Sequence, residues 1–294
     1  MEQLNKCPVC KNNQFKQFLT CQDFTVSQEK FEIIACSNCG FKFTNPRPDE
    51  NQIGKYYQSE NYISHSNTSK GIISKAYHLV RHYTLKRKLK LIDELQPNKG
   101  TILDVGCGTG IFLKTCQNGG WEIAGIEIDA GARGMAESQT KQKIENKILG
   151  SYPNQTFEVI TLWHVLEHIH LLEETVIWLN EKLARNGSLI VAVPNHESYD
   201  AQNYAENWAA YDVPRHLYHF SQQTIETLFK QNGFQLIETK PMIFDSFYVS
   251  MLSTKYKYGK VKYLEALING LKSNNWAKNN NKNYSSLIYI FKKV

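Results

Sequence analysis

The chain has 294 residues, of which 41% are hydrophobic and 21% charged, so it is long enough for one or two folded domains and too apolar to be disordered. Its apolar runs stop far short of the roughly 20 residues that span a bilayer. The N-terminus carries no apolar signal segment, and these two observations together predict a cytoplasmic protein without a membrane helix.

The net charge of +6 is unevenly distributed along the chain. Residues 255–294 hold nine lysines and one acid, whereas residues 1–50 hold equal numbers of basic and acidic residues. A lysine-rich segment without arginine predicts a solvated surface, with an anionic ligand or a membrane surface as the alternative. Neither part has the basic stripe of a nucleic-acid-binding domain, so no nucleic-acid partner is predicted.

Four of the seven cysteines form two Cys-x-x-Cys pairs near the N-terminus, Cys7 with Cys10 and Cys36 with Cys39. Cysteines three positions apart in a tight turn direct both thiolates to one side, and two such turns can bring four sulfurs to tetrahedral Zn²⁺ geometry. Four thiolates leave no open coordination position. The spacing therefore predicts a structural zinc ribbon over residues 1–48.

Residues 49–97 are predicted to form a polar linker followed by a helix. Apolar residues recur every three or four positions from Ser74 to Leu95, and Pro97 ends the pattern. The main domain is therefore predicted to cover residues 98–294.

Short apolar strands alternate with helices from residue 101 onward, which indicates a parallel sheet with helices on both faces. The predicted strands are 102–105, 122–128, 157–163, 188–193, 234–239 and 286–291. The predicted fold class is α/β, with a doubly wound, mostly parallel, Rossmann-like sheet and the small zinc ribbon in front of it. A lysine-rich insert at about 242–284 is predicted to be helical.

The first strand of the main domain runs into a glycine loop with the spacing Asp104-x-Gly106-x-Gly108-x-Gly110. Glycines allow the backbone to turn tightly and to approach a ligand, and the helix that follows favours anionic groups at its N-terminus. An acid at the end of the strand suits a ligand that carries a cationic ammonium group. The loop therefore predicts a nucleotide-like ligand with such a group.

Two further positions make this prediction more specific. Ile111 stands where a dinucleotide-binding fingerprint has its third glycine, which argues against NAD. Glu127 ends the next strand, where a carboxylate can accept hydrogen bonds from both hydroxyls of a ribose.

These motifs resemble those of the class I S-adenosylmethionine-dependent methyltransferases, and the resemblance covers about residues 75–240. The strand 157–163 with the run His164-Val165-Leu166-Glu167-His168 is similar to the fourth strand of that family and the loop after it. The resemblance implies S-adenosylmethionine as the cofactor, bound by Asp104, Gly106, Gly108, Gly110, Glu127 and His164.

A narrower resemblance is to the sugar C-methyltransferases, which combine an N-terminal zinc-binding region with this fold and carry a Glu-His-Leu-x-Tyr-Phe-Ser segment. In residues 215–221, His216 matches their active-site histidine, and Arg215 replaces the glutamate. The resemblance implies a small-molecule acceptor, with an anionic part held by the guanidinium fork. The residues predicted for it are His168 and His216 as catalytic bases, and Arg215, Tyr218 and His219 as substrate ligands.

Two alternatives remain open in the sequence. The first is a catalytically inactive S-adenosylmethionine-fold or zinc-ribbon binding protein. The second is a zinc metalloprotease, because residues 164–168 also spell His-x-x-Glu-His. A protease needs all five residues on one helix, whereas Trp163 and His164 end an apolar strand, so the sequence favours the methyltransferase.

Overall fold

The structure is a computed structural model that describes residues 1–58 and 72–294, with side chains over 1–58 and 80–294. Residues 59–71, which belong to the predicted linker, lie outside the described residues. Two sheets organise the described chain, one of four strands and one of six.

The smaller sheet contains the N-terminal strands and one strand from the second half of the chain. It has the order β1-β2-β3-β8, and every neighbouring pair is antiparallel. Its strands are β1 (Phe15–Gln22), β2 (Lys30–Cys36), β3 (Lys42–Thr44) and β8 (Tyr218–His219). The sheet of the predicted ribbon is therefore completed by Tyr218 and His219 of β8, which lie far from it along the chain.

The larger sheet has the order β5-β4-β6-β7-β10-β9. The first four of these strands are parallel, and β10 is antiparallel to both of its neighbours. The strands are β4 (Thr101–Val105), β5 (Glu122–Ile126), β6 (Phe157–Trp163), β7 (Leu183–Pro194), β9 (Phe234–Pro241) and β10 (Ser286–Lys293). This mostly parallel sheet confirms the predicted Rossmann-like fold class.

Helices follow most strands of the larger sheet. They are α1 (Ile72–Leu95), α2 (Ile111–Asn118), α3 (Ala130–Thr140), α4 (Leu172–Lys182), α5 (Tyr199–Tyr204), α6 (Gln222–Gln231), α7 (Asp245–Tyr258) and α8 (Tyr263–Asn279). Several begin at polar residues that cap free backbone N–H groups. The Asp129 side chain accepts from the Ala132 amide at the start of α3, and Ser221 and Thr224 form a capping box at the start of α6.

The largest boundary difference from the prediction is at β7. The strand is predicted over 188–193, whereas β7 starts at Leu183, directly after α4 ends at Lys182. The register between β6 and β7 shifts after the pair Phe157 and Leu183, so a bulge takes up the extra residues. Local apolar pattern does not reveal such a bulge, because the exposed polar residues Arg185 and Asn186 interrupt the apolar run.

The small sheet and the large sheet share one hydrophobic core. Phe41 and Phe43, from the N-terminal part, pack in the same buried cluster as Leu166, Leu217 and Phe220. Phe41 stacks on the Tyr218 ring, with the two centroids 5.8 Å apart. The N-terminal sheet therefore packs against the loops at the carboxyl ends of the parallel strands, the place where open α/β sheets bind ligands.

The lysine-rich segment forms the two helices α7 and α8, which pack against each other. Gly270 allows their close approach, since a Cβ there would lie 2.5 Å from the Phe247 ring. Over the described parts of the chain, no helix is long and apolar enough to cross a membrane. The cytoplasmic location stays a prediction.

Candidate cofactor and acceptor site

The glycine loop connects β4 to α2 with a conformation that only glycine adopts without strain. Gly106 and Gly110 have φ angles of 70° and 80°. A Cβ on Gly106 would lie 2.5 Å from the Val165 side chain, and one on Gly110 would lie 2.8 Å from the Cα of Ala136. A Cβ on Gly108 would meet no atom within 4 Å, so its backbone is open for a ligand to approach.

Glu127 lies directly after β5, and its carboxylate binds the backbone of the glycine loop. One carboxylate oxygen accepts from the Gly108 amide at 2.7 Å, and the other accepts from the Asp129 amide at 2.9 Å. A carboxylate offers about four lone-pair directions, so two remain for hydroxyl donors. This geometry fits the predicted role of Glu127 as a ribose ligand.

Asp104 is buried at the end of β4, beside the glycine loop. Its Oδ1 accepts from the Thr161 hydroxyl at 2.6 Å. Burial raises the pKa of Asp104 to about 7, although the Thr161 hydrogen bond and the positive charge of Lys88 act in the opposite direction. A cationic group bound here would stabilise the ionised form of the carboxyl.

Lys88 is a site residue that the sequence motifs do not reveal. It lies on α1, and its ammonium group sits 3.9 Å from the centroid of the Trp163 ring at the end of β6. Burial lowers the pKa of Lys88 to about 8. Lys88 lies three residues after Leu85 and four before Ile92, so it is on the apolar face of α1. A lysine on that apolar face is the one feature of the sequence that points to Lys88 as a site residue.

His164, predicted as a cofactor ligand, bridges two carboxylates. Its Nε2 lies 3.1 Å from Asp245 at the start of α7, and its Nδ1 lies 3.4 Å from Glu167. Burial lowers the pKa of His164, but the Asp245 and Glu167 carboxylates outweigh that effect and raise it to about 10. The charged ring therefore ties α7 to the loop after β6, and both of its nitrogens are engaged.

The geometry of residues 164–168 contradicts the metalloprotease alternative. Trp163 ends β6, His164 has a φ angle of 57°, and only Leu166–His168 form a short 3₁₀ turn. The five residues of the motif do not share a helix, so the two histidines cannot face one metal ion from successive turns.

Glu167, His168 and His216 form a cluster at the carboxyl ends of the strands. One ligand atom of each lies within 4.8 Å of those of the other two, and the two imidazole rings meet edge to face with centroids 4.6 Å apart. Glu167 is fully buried, and its Oε1 lies 3.4 Å from Nδ1 of His164, an ion-pair contact without hydrogen-bond geometry. The structure thus brings together both predicted bases and adds Glu167, which the sequence analysis did not assign a role.

Backbone carbonyl groups orient the two histidines of this cluster. Nδ1 of His216 lies 2.8 Å from the Ala210 carbonyl, and Nδ1 of His168 lies 3.0 Å from the Arg215 carbonyl and 2.9 Å from the Tyr57 hydroxyl. Burial, and then the charge of His216, lowers the pKa of His168 to about 4. His168 is therefore neutral at physiological pH.

The structure places Arg215, predicted as an acceptor ligand, in a buried ion-pair network. It is 1% exposed, and its guanidinium is held by two carboxylates, those of Asp212 and Asp23. Two bonds of 2.6 and 2.9 Å join it to Asp212, one of 2.9 Å joins it to Asp23, and Nη1 donates to the Tyr56 carbonyl at 2.8 Å. Its donors are used within the protein, and the cavity that it borders, of about 10 Å³, is too small for an anionic acceptor.

Tyr218 and His219, predicted as acceptor ligands, are also buried. They form β8, so their backbone pairs with β3. The Tyr218 hydroxyl donates to the His170 carbonyl at 2.9 Å, and Nε2 of His219 lies 3.2 Å from the Thr44 hydroxyl. The two residues join the small sheet to the main domain. The sequence analysis missed this because pairing with β3 leaves no local pattern.

The four cysteines of the N-terminal pairs converge, with their sulfur atoms within 4.8 Å of one another. Cys7 and Cys39 are 3.6 Å apart between Sγ atoms, and Cys10 and Cys36 are 3.4 Å apart. Tetrahedral zinc with Zn–S bonds of 2.3 Å requires sulfur separations of about 3.8 Å, so the residues fit a Zn²⁺ ion.

Comparison with known proteins identifies the family. Residues 77–239, more than half of the chain, match the family described as "Methyltransferase domain". The chain belongs to this family. The methyltransferase prediction is therefore confirmed at the level of the family.

Curated relatives of this methyltransferase domain include two ubiquinone biosynthesis O-methyltransferases. The mitochondrial enzyme of Schizosaccharomyces pombe is 28% identical over 100 residues, which cover 31% of this chain and 36% of that protein. The enzyme of Rickettsia canadensis is 22% identical over 163 residues, covering 50% of this chain and 68% of that protein. The chain thus spans only about a third of the length of the first of these.

The fold is shared with solved methyltransferase structures. Magnesium protoporphyrin IX methyltransferase from Synechocystis PCC 6803, with bound SAH, superposes with a TM-score of 0.55. The superposition covers 84% of this chain and all of that one, at 13% sequence identity. The likeness therefore supports the Rossmann-like methyltransferase fold.

Proposed function

We propose that this protein transfers the methyl group of S-adenosylmethionine to a small-molecule acceptor whose methylated atom carries a removable proton. When bound, S-adenosylmethionine supplies an electrophilic methyl group. The residues that would hold it are Glu127 at the ribose, the backbone of the glycine loop, and Asp104 at the ammonium group.

One observation carries this proposal: the candidate cofactor loop contacts the segment that carries Glu167 and His168. Gly106 lies so close to Val165 that no Cβ fits between them, and Val165 is two residues before Glu167. β4 and β6, which end in these two loops, are neighbouring parallel strands. An acceptor bound at the cluster would therefore lie beside a methyl donor in the loop, which is the positioning that methyl transfer requires.

His216 is the proposed proton acceptor. Its Nδ1 faces the Ala210 carbonyl, an acceptor, so in the neutral ring Nδ1 carries the proton and Nε2 keeps its lone pair. Glu167 would stabilise the imidazolium that forms when Nε2 takes a proton, because its buried carboxylate lies within 4.8 Å. His168, whose pKa is lowered to about 4, is better suited to contacting the acceptor than to keeping its proton.

A ring hydroxyl is the first acceptor to test, and a sugar carbon is the second. The printed names of two curated relatives describe O-methyltransferases. The sugar carbon follows from the resemblance to the sugar C-methyltransferase segment, whose residues His216, Leu217, Phe220 and Ser221 match. Because Arg215 is engaged by Asp23 and Asp212, an anionic acceptor no longer has a candidate ligand in that residue.

The experiment is a screen of hydroxylated aromatic, quinol and nucleotide-sugar acceptors with S-adenosylmethionine, read as a mass increase of one methylene unit. His216→Asn should lower turnover on the order of a hundredfold, the usual contribution of a positioned base, with cofactor affinity unchanged. His82→Asn, a substitution of an exposed histidine on α1, should leave turnover near wild type. Full turnover of His216→Asn would remove the base assignment. Failure of the wild type to bind S-adenosylhomocysteine would favour the inactive scaffold.

We also propose that Cys7, Cys10, Cys36 and Cys39 hold one structural zinc ion. In this proposal residues 1–48 are a zinc ribbon, residues 49–97 connect it, and residues 98–294 are the methyltransferase domain. The convergence of the four sulfur atoms supports it.

A further inference from the structure

Helix α8 buries its small and polar residues and exposes its large aliphatic ones. Its buried positions are Ala266, Asn269, Gly270, Ser273 and Ala277. On the opposite side Leu264, Leu267, Ile268 and Leu271 are between 42% and 72% exposed. These four residues follow one another at spacings of three, one and three, so they form a single stripe, which we call the leucine face.

Hydrogen bonds fix this orientation of α8. Ser273 donates to the fully buried Asp200 carboxylate at 2.7 Å, and the Asn269 amide donates to the Tyr204 hydroxyl at 2.8 Å. Trp208 and Ser285 donate to the same carboxylate at 2.8 and 2.6 Å. Rolling the helix to bury the leucines would strand these buried polar groups, which is costly. The exposure of the leucine face is therefore built into the fold.

Lysines flank the leucine face along the sequence. Between residues 255 and 278 the sequence has six lysines and one acid, Glu265. Glu265 is partly neutralised, since Lys262 lies 3.7 Å from its carboxylate and the Tyr258 hydroxyl donates to it at 3.1 Å. Lys260 and Lys272, at either end of the stripe, are exposed.

This charge pattern distinguishes between two binding partners of an exposed apolar face, a second copy of the chain and a lipid membrane. In a symmetric dimer the same patch would meet itself, so lysine would face lysine and repel. An anionic lipid surface attracts the same lysines and accepts the apolar side chains below its headgroups. Tyr258 and Tyr263, exposed at the start of the stripe, are of the type that settles at a membrane–water interface.

We infer that α8 docks this protein on the surface of an anionic lipid membrane, with the leucine face in the interface and the surrounding lysines against the headgroups. The helix lies along the surface and does not span the bilayer. The inference needs no methyl transfer and stands apart from the proposed function, because α8 takes no part in the histidine cluster or the glycine loop.

Flotation of the full chain with lipid vesicles tests the inference. The wild-type protein should float with vesicles in which about one third of the lipid is phosphatidylglycerol and the rest is phosphatidylcholine. It should not float with vesicles of phosphatidylcholine alone. The triple substitution Leu264→Ser, Leu267→Ser and Leu271→Ser should weaken the partition into anionic vesicles more than tenfold. Lys260→Gln and Lys272→Gln should each weaken it about fivefold, and 0.5 M salt should weaken it for wild type.

The matched control is Leu171→Ser, Ile177→Ser and Ile237→Ser, which removes three exposed aliphatic residues outside α8 and should bind vesicles as wild type does. Circular dichroism and thermal melting of each variant check that it is folded. Equal flotation of the α8 triple variant and wild type would overturn the inference. So would a wild type that ignores anionic vesicles at low salt but sediments as a dimer that the triple variant does not form.

Discussion

Glu127 organises the candidate cofactor site before any ligand arrives. Its two oxygens already hold the amides of Gly108 and Asp129, so its rotamer is set and its remaining lone pairs have a fixed direction. A ribose that binds there loses little free energy to reorganisation of the protein. At the residue scale, this preorganisation makes Glu127 the most sensitive single probe of nucleoside binding.

Glu127→Ala should weaken the binding of S-adenosylhomocysteine by about 1.5–3 kcal/mol, the scale of hydrogen bonds to a charged group. Titration calorimetry of wild type and variant measures this. Glu122→Ala, an exposed substitution at the other end of β5, should leave the affinity unchanged, and NAD should not bind to either protein. Tight NAD binding without a S-adenosylhomocysteine signal would contradict the assignment of the loop.

The pKa of Asp104, raised to about 7, predicts a pH dependence of cofactor binding. Below pH 7 the empty site holds a neutral carboxyl, which attracts an ammonium group poorly, and above pH 7 it holds a carboxylate. Affinity for S-adenosylhomocysteine should therefore rise from pH 5.5, by up to tenfold per unit, and level off above about pH 7. Titrations across pH 5.5–8 with wild type and Asp104→Asn test this, since the variant should bind weakly and without that rise. A flat wild-type profile would show that Asp104 does not meet the ammonium group.

At the scale of elements, the two cysteine turns are near copies of each other. In each, the backbone N–H of the residue four positions after the first cysteine donates to the carbonyl of that cysteine, as Lys11 does to Cys7 and Gly40 does to Cys36. Lys11 and Gly40 both have positive φ angles, of 62° and 73°. Local backbone hydrogen bonds thus set the geometry of both thiol pairs, which is the arrangement expected of a metal-organised ribbon.

Elemental analysis of the purified chain should find one zinc ion per molecule, and Cys36→Ser should release it and lower the melting temperature. Cys21→Ser, which alters a buried cysteine in β1 away from the cluster, should retain the ion. A second zinc that disappears in His168→Ala would place a metal in the cluster of Glu167, His168 and His216 and would displace His216 from its role as base.

At the scale of the whole molecule, Arg215 connects distant parts of the chain. Its partner Asp23 is 192 residues away, and Asp23 also accepts from the Thr25 and Ser27 amides in the turn after β1. The ion pair therefore holds the turn between β1 and β2 against the loop that carries His216.

Arg215→Lys keeps the charge but loses the fork that reaches two carboxylates and a carbonyl. It should reduce the free energy of unfolding by about 1.5–3 kcal/mol for each charged hydrogen bond it fails to replace. Denaturant unfolding measures the loss, and the specific activity of the folded fraction should stay near wild type. Arg185→Lys, on an exposed residue, is the control. A raised Michaelis constant for the acceptor with unchanged stability would restore Arg215 as a substrate ligand.

The sequence predicts the parts of this molecule that local pattern determines. The central strands β4, β6 and β7 of the larger sheet are mostly buried, so their apolar runs mark them, and the cysteine and glycine spacings are fixed by turns of a few residues. The roles of Arg215, Tyr218 and His219 could not be predicted in this way. The role of each residue depends on a partner in the N-terminal part of the chain. Contacts between residues so far apart leave no periodic pattern in the amino-acid sequence. Lys88 shows only as a charge on an apolar face.

The pairing of β3 with β8 also sets an order of events during synthesis. β1, β2 and the cysteine turns can assemble as soon as about the first fifty residues have left the ribosome, but the outer edge of β3 has then no neighbouring strand. That edge stays open until Tyr218 and His219 emerge, after most of the main sheet has been made. An unpaired strand edge can recruit another chain. The nascent ribbon is therefore exposed to mispairing for most of translation, and a chain truncated before β8 would keep that edge open for its lifetime.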